Sequence, residues 1–581
     1  MELPRKRAPR RKDDRIILHF DYDCFYASVY ENRDPRLKAL PLGVKQKNIL
    51  ATCNYVARKR GVKKLMLLID AKKICPDLVI IEGEDLTPFR DMSKRLFGVL
   101  RGYSWNNKVE RLGFDEVFMG ACAVPVLLDS ERVRATDQRT DVTDIINYNM
   151  FCLNRASLSE SFFHLSKRDP EKGFTCNLTK VAGCVFGETP EPGDLDNSTY
   201  VRLLLASHLA FHLRMKLEED LGFTASVGVS TNKLLSKLAG SVNKPRNQTT
   251  LMSLDDAVVA EFMDAHSVRK VPGIGSKTSR VLEDRYLSTP LGPDDADREN
   301  SPLKVHNVRT HPETSPDALE KLLGGPGSER GIGERVWGLL HGVDDTEVKD
   351  ASDIPSQISI EDTFKGLESM SKIESELRKI SASLVRRMRT DLLTDDDSIE
   401  PGGQRWIAHP KTLRLSIRSW PTESTPNFQR ISRSQPLPNF IFNLKEPPEL
   451  IAERLTTDFL LPAMKKFHPP GHRWNLQLLN VCVANMAASG SEAGPGVGRD
   501  ISVMFRKQDD VLRQWRADTM VVEDDDEQWA SEDEVEEMEL GEFDEGASWE
   551  GDMVTARCPL CGHSIPPFAL AAHARYHDLG E

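Results

Sequence analysis

The chain has 581 residues, 39% of them hydrophobic, and a formal net charge of −12. This length is enough for several domains with separate cores. No stretch of 18 or more apolar residues is present, and no apolar stretch follows the basic N-terminus, so we expect neither a membrane partner nor export. The segment 523–552 contains 16 acidic residues and no Lys or Arg, so the rest of the chain is mildly basic, which permits a nucleic-acid partner.

The first predicted segment, 1–14, is a disordered basic arm. Its stretch RKRAPRRK (5–12) is typical of a nuclear-import signal, and a plain basic arm is the alternative. We therefore expect the protein in the nucleus.

Acidic residues follow two predicted strands. The apolar stretch IILHF (16–20) predicts a strand that ends at Phe20, which places Asp21 at its tip. In RLGFDEVF, Gly113 favours a hairpin turn, through which Asp115 and Glu116 can both approach one site. Three such carboxylates can hold a pair of Mg²⁺ ions. Taken singly, each is as well explained as a solvated acid at a strand end.

A phosphate-binding surface is predicted further along the chain. Thr52, Tyr55 and Arg58 recur every third residue and would share one face of a helix, where their hydroxyl and guanidinium groups suit a triphosphate. Lys244, which precedes Pro245, is a second candidate for phosphate charge. A solvated surface helix is the alternative for the first set.

The second half of the chain contains two features that suit DNA. In VPGIGSKT (271–278), Gly273, Gly275 and Lys277 lie in a turn between helices, where backbone N–H groups can meet phosphates. The stretch TLRLSIRSW (412–420) predicts a strand with one apolar face and one cationic face, the latter bearing Arg414 and Arg418. Taken alone, the turn could be any tight connection between helices, and DNA contacts by both features are what the family resemblance given below implies.

A metal site is predicted at the C-terminus. Cys558, Cys561, His573 and His577 follow a C-x₂-C-x₁₁-H-x₃-H spacing, with the two histidines one helical turn apart. This pattern is typical of one tetrahedral Zn²⁺ site.

Several stretches, taken in order, resemble the Y-family translesion DNA polymerases. They are DYDCFYASVY (21–30), TCNYVARKRGVKKLM (52–66), ERLGFDEVF (110–118) and VPGIGSKT (271–278). The resemblance implies an α+β fold, a right-hand polymerase with an added little finger and a C-terminal zinc finger. The implied divisions are a palm (15–37 and 99–252, with an insert at 121–180), fingers (38–98), a helical thumb with a helix-hairpin-helix (253–350), a little finger (355–488), a linker with an acidic tract (489–555) and the finger (556–581).

The resemblance also implies a role for individual residues. Asp21, the Tyr22 carbonyl, Asp115 and Glu116 would bind two Mg²⁺ or Mn²⁺ ions. Thr52, Tyr55, Arg58 and Lys244 would hold the triphosphate of a deoxynucleoside triphosphate. Tyr26, beside Phe25, would exclude a ribose 2′-hydroxyl, and Gln46, Lys47 and Ile49 would form the roof above the templating base. Asp23 is no ligand in the family, and we expect a helix N-cap or a local hydrogen-bond acceptor there.

The implied activity is low-fidelity, template-directed DNA synthesis on primer–template DNA during damage tolerance. Another subtype of the family, a two-metal nuclease or phosphatase, and a catalytically inactive scaffold are the alternatives. The zinc finger resembles ubiquitin-binding fingers, although Arg575 replaces their usual aspartate, so ubiquitin is the first of several possible partners. GRDISVMF (498–505) resembles a sliding-clamp motif without its glutamine, and a short amphipathic helix explains it equally well.

Overall fold

A computed structural model of the chain describes residues 9–104, 106–121, 161–164, 173–188, 198–287, 302–325, 328–395, 403–421, 430–467, 473–489, 556–557 and 564–565. The chain divides into two compact units, Met1–Ser489 and Gly490–Glu581. Within the described ranges, no helix has the length and apolar character needed to cross a membrane.

A six-stranded sheet lies at the centre of the first unit. Its middle strand β1 (Ile16–Tyr22) is almost wholly buried and pairs antiparallel with a neighbour on each side, as its apolar sequence favours. In spatial order the strands are β5 (Val109–Leu112), β6 (Glu116–Ala121), β1, β10 (Ala225–Ser230), β11 (Gln248–Leu251) and β9 (Cys184–Phe186).

Helices complete this core. The members are α1 (Phe25–Arg33), α4 (Thr87–Gly102), α5 (Ser198–Leu221) and α6 (Lys233–Val242). The predicted boundary at residue 98 falls inside α4, whose Phe89 and Leu100 share the core of the six-stranded sheet. Helix α6 packs so closely on β10 at Gly228 that a Cβ atom there would come within 1.8 Å of the Ser236 carbonyl oxygen.

Part of the predicted insert belongs to the same core. Strands β7 (Ser161–His164) and β8 (Gly173–Cys176) form an antiparallel ribbon. The side chains of Phe163, Phe174 and Cys176 are buried with those of α5. Residues 122–160 and 165–172 of the insert lie outside the described residues.

The predicted disordered arm is wrong for residues 9–14. The Arg11 side chain is only 5% exposed, pairs with Asp13 at 2.9 Å and with Asp256 at 3.3 Å, and donates to the Leu254 carbonyl. Thr231 also donates a hydrogen bond to Asp13 at 2.5 Å. The Arg- and Lys-rich composition of this segment therefore gave no indication of its specific ion pairs.

A smaller three-stranded sheet follows α1 and a 3₁₀ turn (Pro35–Ala39). Its core contains Leu50, Cys53, Val62 and Leu78. The elements are β2 (Leu42–Gln46), β3 (Ile49–Cys53), α2 (Tyr55–Lys59), α3 (Leu68–Ile74) and β4 (Val79–Glu82), with strand order β3-β2-β4.

A helical segment with its own apolar core packs against α6. It consists of α7 (Asp256–Asp264), a 3₁₀ turn (Val268–Lys270), α8 (Ser276–Tyr286), α9 (Val305–Arg309), α10 (Pro316–Leu323) and α11 (Ile332–Leu340). Gly273, at φ +88°, and Gly275, which caps α8, form the turn predicted in VPGIGSKT.

A four-stranded antiparallel sheet closes the unit, in the order β12 (Gln357–Leu367), β17 (Leu476–Ala488), β15 (Ala408–Ser419) and β16 (Arg430–Pro436). Leu413, Leu415 and Ile417 of β15 are buried, as the alternation predicts. Their core is shared with α12 (Met370–Leu392) and α13 (Pro448–Leu455). It is also shared with the adjoining π-helical turn (Thr456–Leu460) and α14 (Leu461–Lys465). A ribbon of β13 (Leu393–Asp395) and β14 (Gln404–Trp406) and a 3₁₀ turn (Asn439–Phe442) complete this part.

Ion pairs join the four-stranded sheet and α12 to the rest of the unit. Lys47, after β2, pairs with Asp362 at 2.7 Å. Lys94 of α4 pairs with Asp391, which also accepts from Arg387 at 2.5 Å.

In the second unit, the structure describes β18 (Ala556–Arg557) and β19 (Ser564–Ile565), which pair antiparallel. The four predicted zinc ligands, Arg575 and the stretch 498–505 lie outside the described residues.

Candidate active site

Asp21 lies within β1, since the strand continues to Tyr22 and does not end at Phe20 as the sequence suggested. In the sheet register, Asp21 is opposite Glu116 of β6 on one side and Ser226 of β10 on the other. Residues directly opposite each other in antiparallel strands present their side chains on the same face. The register therefore brings two of the predicted carboxylates together.

The third carboxylate is placed by the predicted hairpin. Gly113 adopts φ +76° between β5 and β6, a conformation that glycine accepts without strain. The Tyr22 amide donates a hydrogen bond of 2.8 Å to the Asp115 carbonyl, which fixes the hairpin against the end of β1. Asp115 thus lies beside Asp21 and Glu116, as predicted.

The electrostatics of Asp115 show how closely the acids approach. Burial, together with the charges of Asp21 and Glu116, raises the pKa of Asp115 to about 6. Like charges at one site disfavour the ionised form. The three acids therefore form a site with an excess of negative charge.

Two lysines offset this charge. Lys244 pairs with Asp21, and Lys237 of α6 pairs with Glu116 at 2.5 Å. Burial alone would raise the pKa of Glu116, but His19 and Lys237 outweigh burial and lower it to about 2. The carboxylate of Glu116 is thus ionised at neutral pH.

Carboxylate and carbonyl oxygens are the donors that Mg²⁺ prefers, so Asp21, Tyr22, Asp115 and Glu116 fit the predicted divalent ions chemically. Among the residues that the structure describes, however, no group of three or more His, Cys, Asp or Glu side chains is arranged tightly enough to hold a metal ion. The ion pairs with Lys244 and Lys237 occupy oxygens of Asp21 and Glu116, so these pairs must open when cations bind.

Asp23 is a buried local hydrogen-bond acceptor. It accepts from the Ser226 hydroxyl at 2.8 Å and from the Arg246 amide at 2.9 Å. Of the two predicted alternatives, the acceptor role is confirmed and the N-cap role is wrong, because Cys24 occupies the N-cap of α1.

The predicted triphosphate residues do not share one helix. Thr52 lies in β3, whereas Tyr55 and Arg58 lie in α2, so the prediction of a common helical face is wrong for Thr52. Asn54 caps α2 by accepting from the Ala57 amide at 3.0 Å, and this cap starts the helix two residues after Thr52. The Arg58 guanidinium lies 4.8 Å from the centre of the Tyr55 ring.

Tyr26 lies on α1 and is half-buried. Its ring stacks on Phe89 with a centroid distance of 4.1 Å and an interplanar angle of 14°. Phe25 is buried, and its ring lies 5.9 Å from the Tyr26 ring at a tilt of 58°. Burial and the charge of Asp115 raise the pKa of Tyr26, so Tyr26 lies close to the acidic site.

The predicted roof residues lie in the hairpin between β2 and β3. Gln46 is opposite Ile49, and its side chain donates to the Gly83 carbonyl at 3.0 Å. Lys47, in the turn, has φ +52° and pairs with Asp362. The roof therefore also contacts the four-stranded sheet.

The predicted DNA-contact residues lie far along the chain from these acids. Lys277, in the first turn of α8, is exposed. Arg414 donates to Gln357 at 2.8 Å and Arg418 to Gln477 at 2.5 Å, so the cationic face of β15 is held by neighbouring strands.

The sequence interpretation missed His19 and Lys237. His19 precedes Asp21 by two residues on the same strand face, its Nε2 lies 3.9 Å from Glu116, and burial lowers its pKa. Lys237 follows Lys233 by one helical turn, and Lys233 pairs with Glu110 at 2.5 Å. Strand alternation places His19 on the same face as Asp21, but no local signal in the sequence connects either His19 or Lys237 with Glu116.

Comparisons with known proteins place the chain in a family. Sequence profiles of the impB/mucB/samB family and of its C-terminal domain match residues 20–241 and 355–495. The chain belongs to this family, the Y-family polymerases. It is 31% identical to DNA polymerase iota of Homo sapiens over 474 residues (82% of this chain, 52% of the human protein) and 33% identical to DNA polymerase iota of Drosophila melanogaster over 380 residues (65% and 42%). It is 26% identical to DNA polymerase eta of Arabidopsis thaliana over 398 residues (66% and 52%).

The chain thus spans about half the length of the curated relatives that it matches. The resemblance seen in the sequence is confirmed at the level of the family, and among its subtypes the iota-like assignment is supported.

The raised pKa of Asp115 predicts an effect on stability. Its folded-state pKa of about 6 exceeds that of an unfolded aspartate, so its contribution is present at low pH and is lost as the pH rises through 6. In EDTA, Asp115→Asn should therefore raise the free energy of unfolding at pH 8 by about 1 kcal/mol, since solvent contact of the side chain reduces the full effect. Urea denaturation at pH 4 and pH 8 measures this, and an equal gain at both would contradict it.

Proposed function

We propose that this chain is a template-directed, low-fidelity DNA polymerase of the iota-like type that adds deoxynucleotides to a primer opposite damaged templates. The observation that carries the proposal is the convergence of Asp21, Asp115 and Glu116 beside the stacked Tyr26–Phe89 pair. In this proposal the six-stranded sheet is the palm, the three-stranded sheet the fingers, the helical segment the thumb and the four-stranded sheet the little finger.

The acidic cluster would bind the reacting groups. Asp21, Asp115, Glu116 and the Tyr22 carbonyl would hold two Mg²⁺ ions, which supply the positive charge that lowers the pKa of a primer hydroxyl and neutralises a leaving pyrophosphate. Glu116 is ready for this role because His19 and Lys237 keep it ionised. Lys244, once released from Asp21, can pair with a triphosphate oxygen.

The surrounding side chains would position the nucleotide. Arg58 and Tyr55 on α2 and Thr52 on β3 present a guanidinium and two hydroxyl groups for phosphate oxygens. The stack on Phe89 fixes the Tyr26 ring, so the ring can limit the space at the sugar. Lys277 of α8, which is exposed, and the partly exposed Arg414 and Arg418 of β15 would meet the DNA backbone without reading sequence.

Tyr26→Ala tests the sugar contact. We expect the ratio of ribonucleotide to deoxyribonucleotide incorporation to rise by about tenfold or more, because removing the ring opens space at C2′. Single-nucleotide insertion kinetics with both sugars measures this ratio. Tyr26→Phe keeps the ring and should retain the wild-type ratio; an unchanged ratio in Tyr26→Ala would remove Tyr26 from this role.

Two rival functions can be separated from the proposal. Polymerases of the eta or kappa type would share the acids but not the iota-like roof of Gln46, Lys47 and Ile49. A two-metal nuclease or phosphatase needs the acids but no nucleotide pocket. Incubating the chain with a labelled primer–template, Mg²⁺ and deoxynucleotides separates a polymerase from a nuclease. Extension of the primer supports the proposal, and shortening of the primer would favour a nuclease.

Residues near both ends of the chain extend the proposal. We propose one Zn²⁺ held by Cys558, Cys561, His573 and His577. We also propose nuclear localisation through the arm 5–12, a ubiquitin contact by the finger and a sliding-clamp contact by 498–505. Metal analysis of the purified full chain should give about one zinc per chain, and the double variant Cys558→Ser/Cys561→Ser should lose it while primer extension is retained. Zinc retained in this variant would contradict the assignment.

A further inference from the structure

Three large apolar side chains project into solvent from the segment that joins α2 to α3 and from the first turn of α3. Leu65, Leu67 and Ile69 are 60%, 52% and 72% exposed. We call these three residues the apolar edge. A cluster of exposed apolar residues is uncommon on a soluble surface unless it binds something.

The apolar edge has a defined conformation. Met66 and Leu68, which alternate with its members, pack inward on the core of the three-stranded sheet. The Leu65 amide donates to the Leu50 carbonyl at 2.7 Å, and the Leu50 amide donates to the Met66 carbonyl at 2.9 Å. These bonds to β3 hold the three side chains outward, so their exposure is a property of the fold.

The apolar edge is continuous with the predicted roof over the templating base. Leu67 forms an antiparallel bridge with Ile49, which in turn is opposite Gln46. Directly opposite residues lie on the same face with Cβ atoms about 5 Å apart. Leu67 therefore extends the surface of Gln46 and Ile49 outward.

Charge next to the apolar edge favours one kind of ligand. Lys63 and Lys64, both exposed, directly precede Leu65. Cations beside an apolar platform suit a single nucleic-acid strand, whose phosphates meet the cations and whose unpaired bases cover the apolar groups.

We propose that the apolar edge binds the unpaired template strand immediately 5′ of the templating base. This inference rests on the proposed polymerase function, in which the roof lies over the templating base. Nucleotides 3′ of that base are paired with the primer, so the strand that continues past Ile49 is the unpaired 5′ side. Leu67 and Ile69 would contact its bases, and Lys63 and Lys64 its phosphates.

The test compares two primer–templates that share one duplex and differ only in a template 5′ overhang of one or four nucleotides. In fluorescence anisotropy, the full chain should bind the longer overhang about three- to tenfold more tightly. Leu67→Ser/Ile69→Ser should lose most of this difference and bind the short overhang as wild type does. Residue 67 is the N-cap of α3, a position that serine favours, so the fold should be retained.

The control is Leu450→Ser, which removes a 55% exposed leucine from α13 and should leave the difference intact. Two results would overturn the inference: equal binding of both overhangs by the wild-type chain, or an unchanged difference in the double variant. Either result is expected if a protein, and not the template strand, covers the apolar edge. Addition of one nucleotide on the short overhang reports the polymerase function separately.

Discussion

Replacing Asp115 by Asn will lower the rate of nucleotide addition by about a thousandfold or more while the affinity for primer–template DNA stays within about twofold. The substitution keeps the shape of the side chain and removes one negative charge from the cluster of Asp21, Asp115 and Glu116. The cations that we propose to bind DNA lie on other elements, so the affinity for DNA has no reason to fall. Single-turnover extension and anisotropy measure the two quantities.

The control for this variant is Asp458→Asn. Asp458 is half-exposed and pairs with Arg454 at 3.7 Å, a surface pair worth little to stability. Its substitution should leave extension unchanged. A rate near wild type in Asp115→Asn would remove the carboxylate from the reaction, and a parallel loss of DNA binding would show that the substitution acts by disturbing the fold.

The second expected result concerns the template base. Template adenine should be copied with about a hundredfold higher accuracy than template thymine. The reason is an expectation from the family resemblance: a roof of Gln46, Lys47 and Ile49 would leave a narrow pocket, which favours a template purine rotated to its syn form. In the structure the Lys47 ammonium is bound to Asp362 of the four-stranded sheet, and the Gln46 side chain donates to the Gly83 carbonyl. Contacts therefore hold the roof at both of these residues.

Insertion kinetics of all four nucleotides opposite each template base measure this accuracy. Equal accuracy opposite adenine and thymine would reject the iota-like subtype and favour the eta type, with the catalytic acids unaffected. Asp362→Ala serves as a probe of the roof, since it removes the ion-pair partner of Lys47, which also donates to Thr363, without touching the acidic cluster. It should lower the accuracy opposite adenine.

Local sequence patterns predicted much of the fold. The apolar stretch 16–20 and Gly113 correctly predicted the strand and hairpin that bring Asp21, Asp115 and Glu116 together. The alternation in 412–420 was also confirmed. These features depend on periodicity and on one glycine, both visible in a short window of sequence.

The errors arose where distant partners decide the structure. Thr52 has helical spacing with Tyr55, yet the pairing of β3 with β2 and the Asn54 cap place it in a strand. Residues 9–14 look disordered by composition, yet Arg11 binds Asp256 on α7. Lys237 and His19 gain their significance only from Glu116, more than 90 residues from either in sequence. Contacts of this kind follow from tertiary packing and not from local pattern.

The most direct test of the central claim is primer extension by the purified full chain on a defined template, with Mg²⁺ and one deoxynucleotide at a time. The account predicts addition of nucleotides selected by the template base, no addition in EDTA, and no addition by Asp115→Asn under the same conditions. A wild-type chain that binds the primer–template but leaves the primer unextended, or that shortens it, would contradict the assignment of this acidic cluster to DNA synthesis.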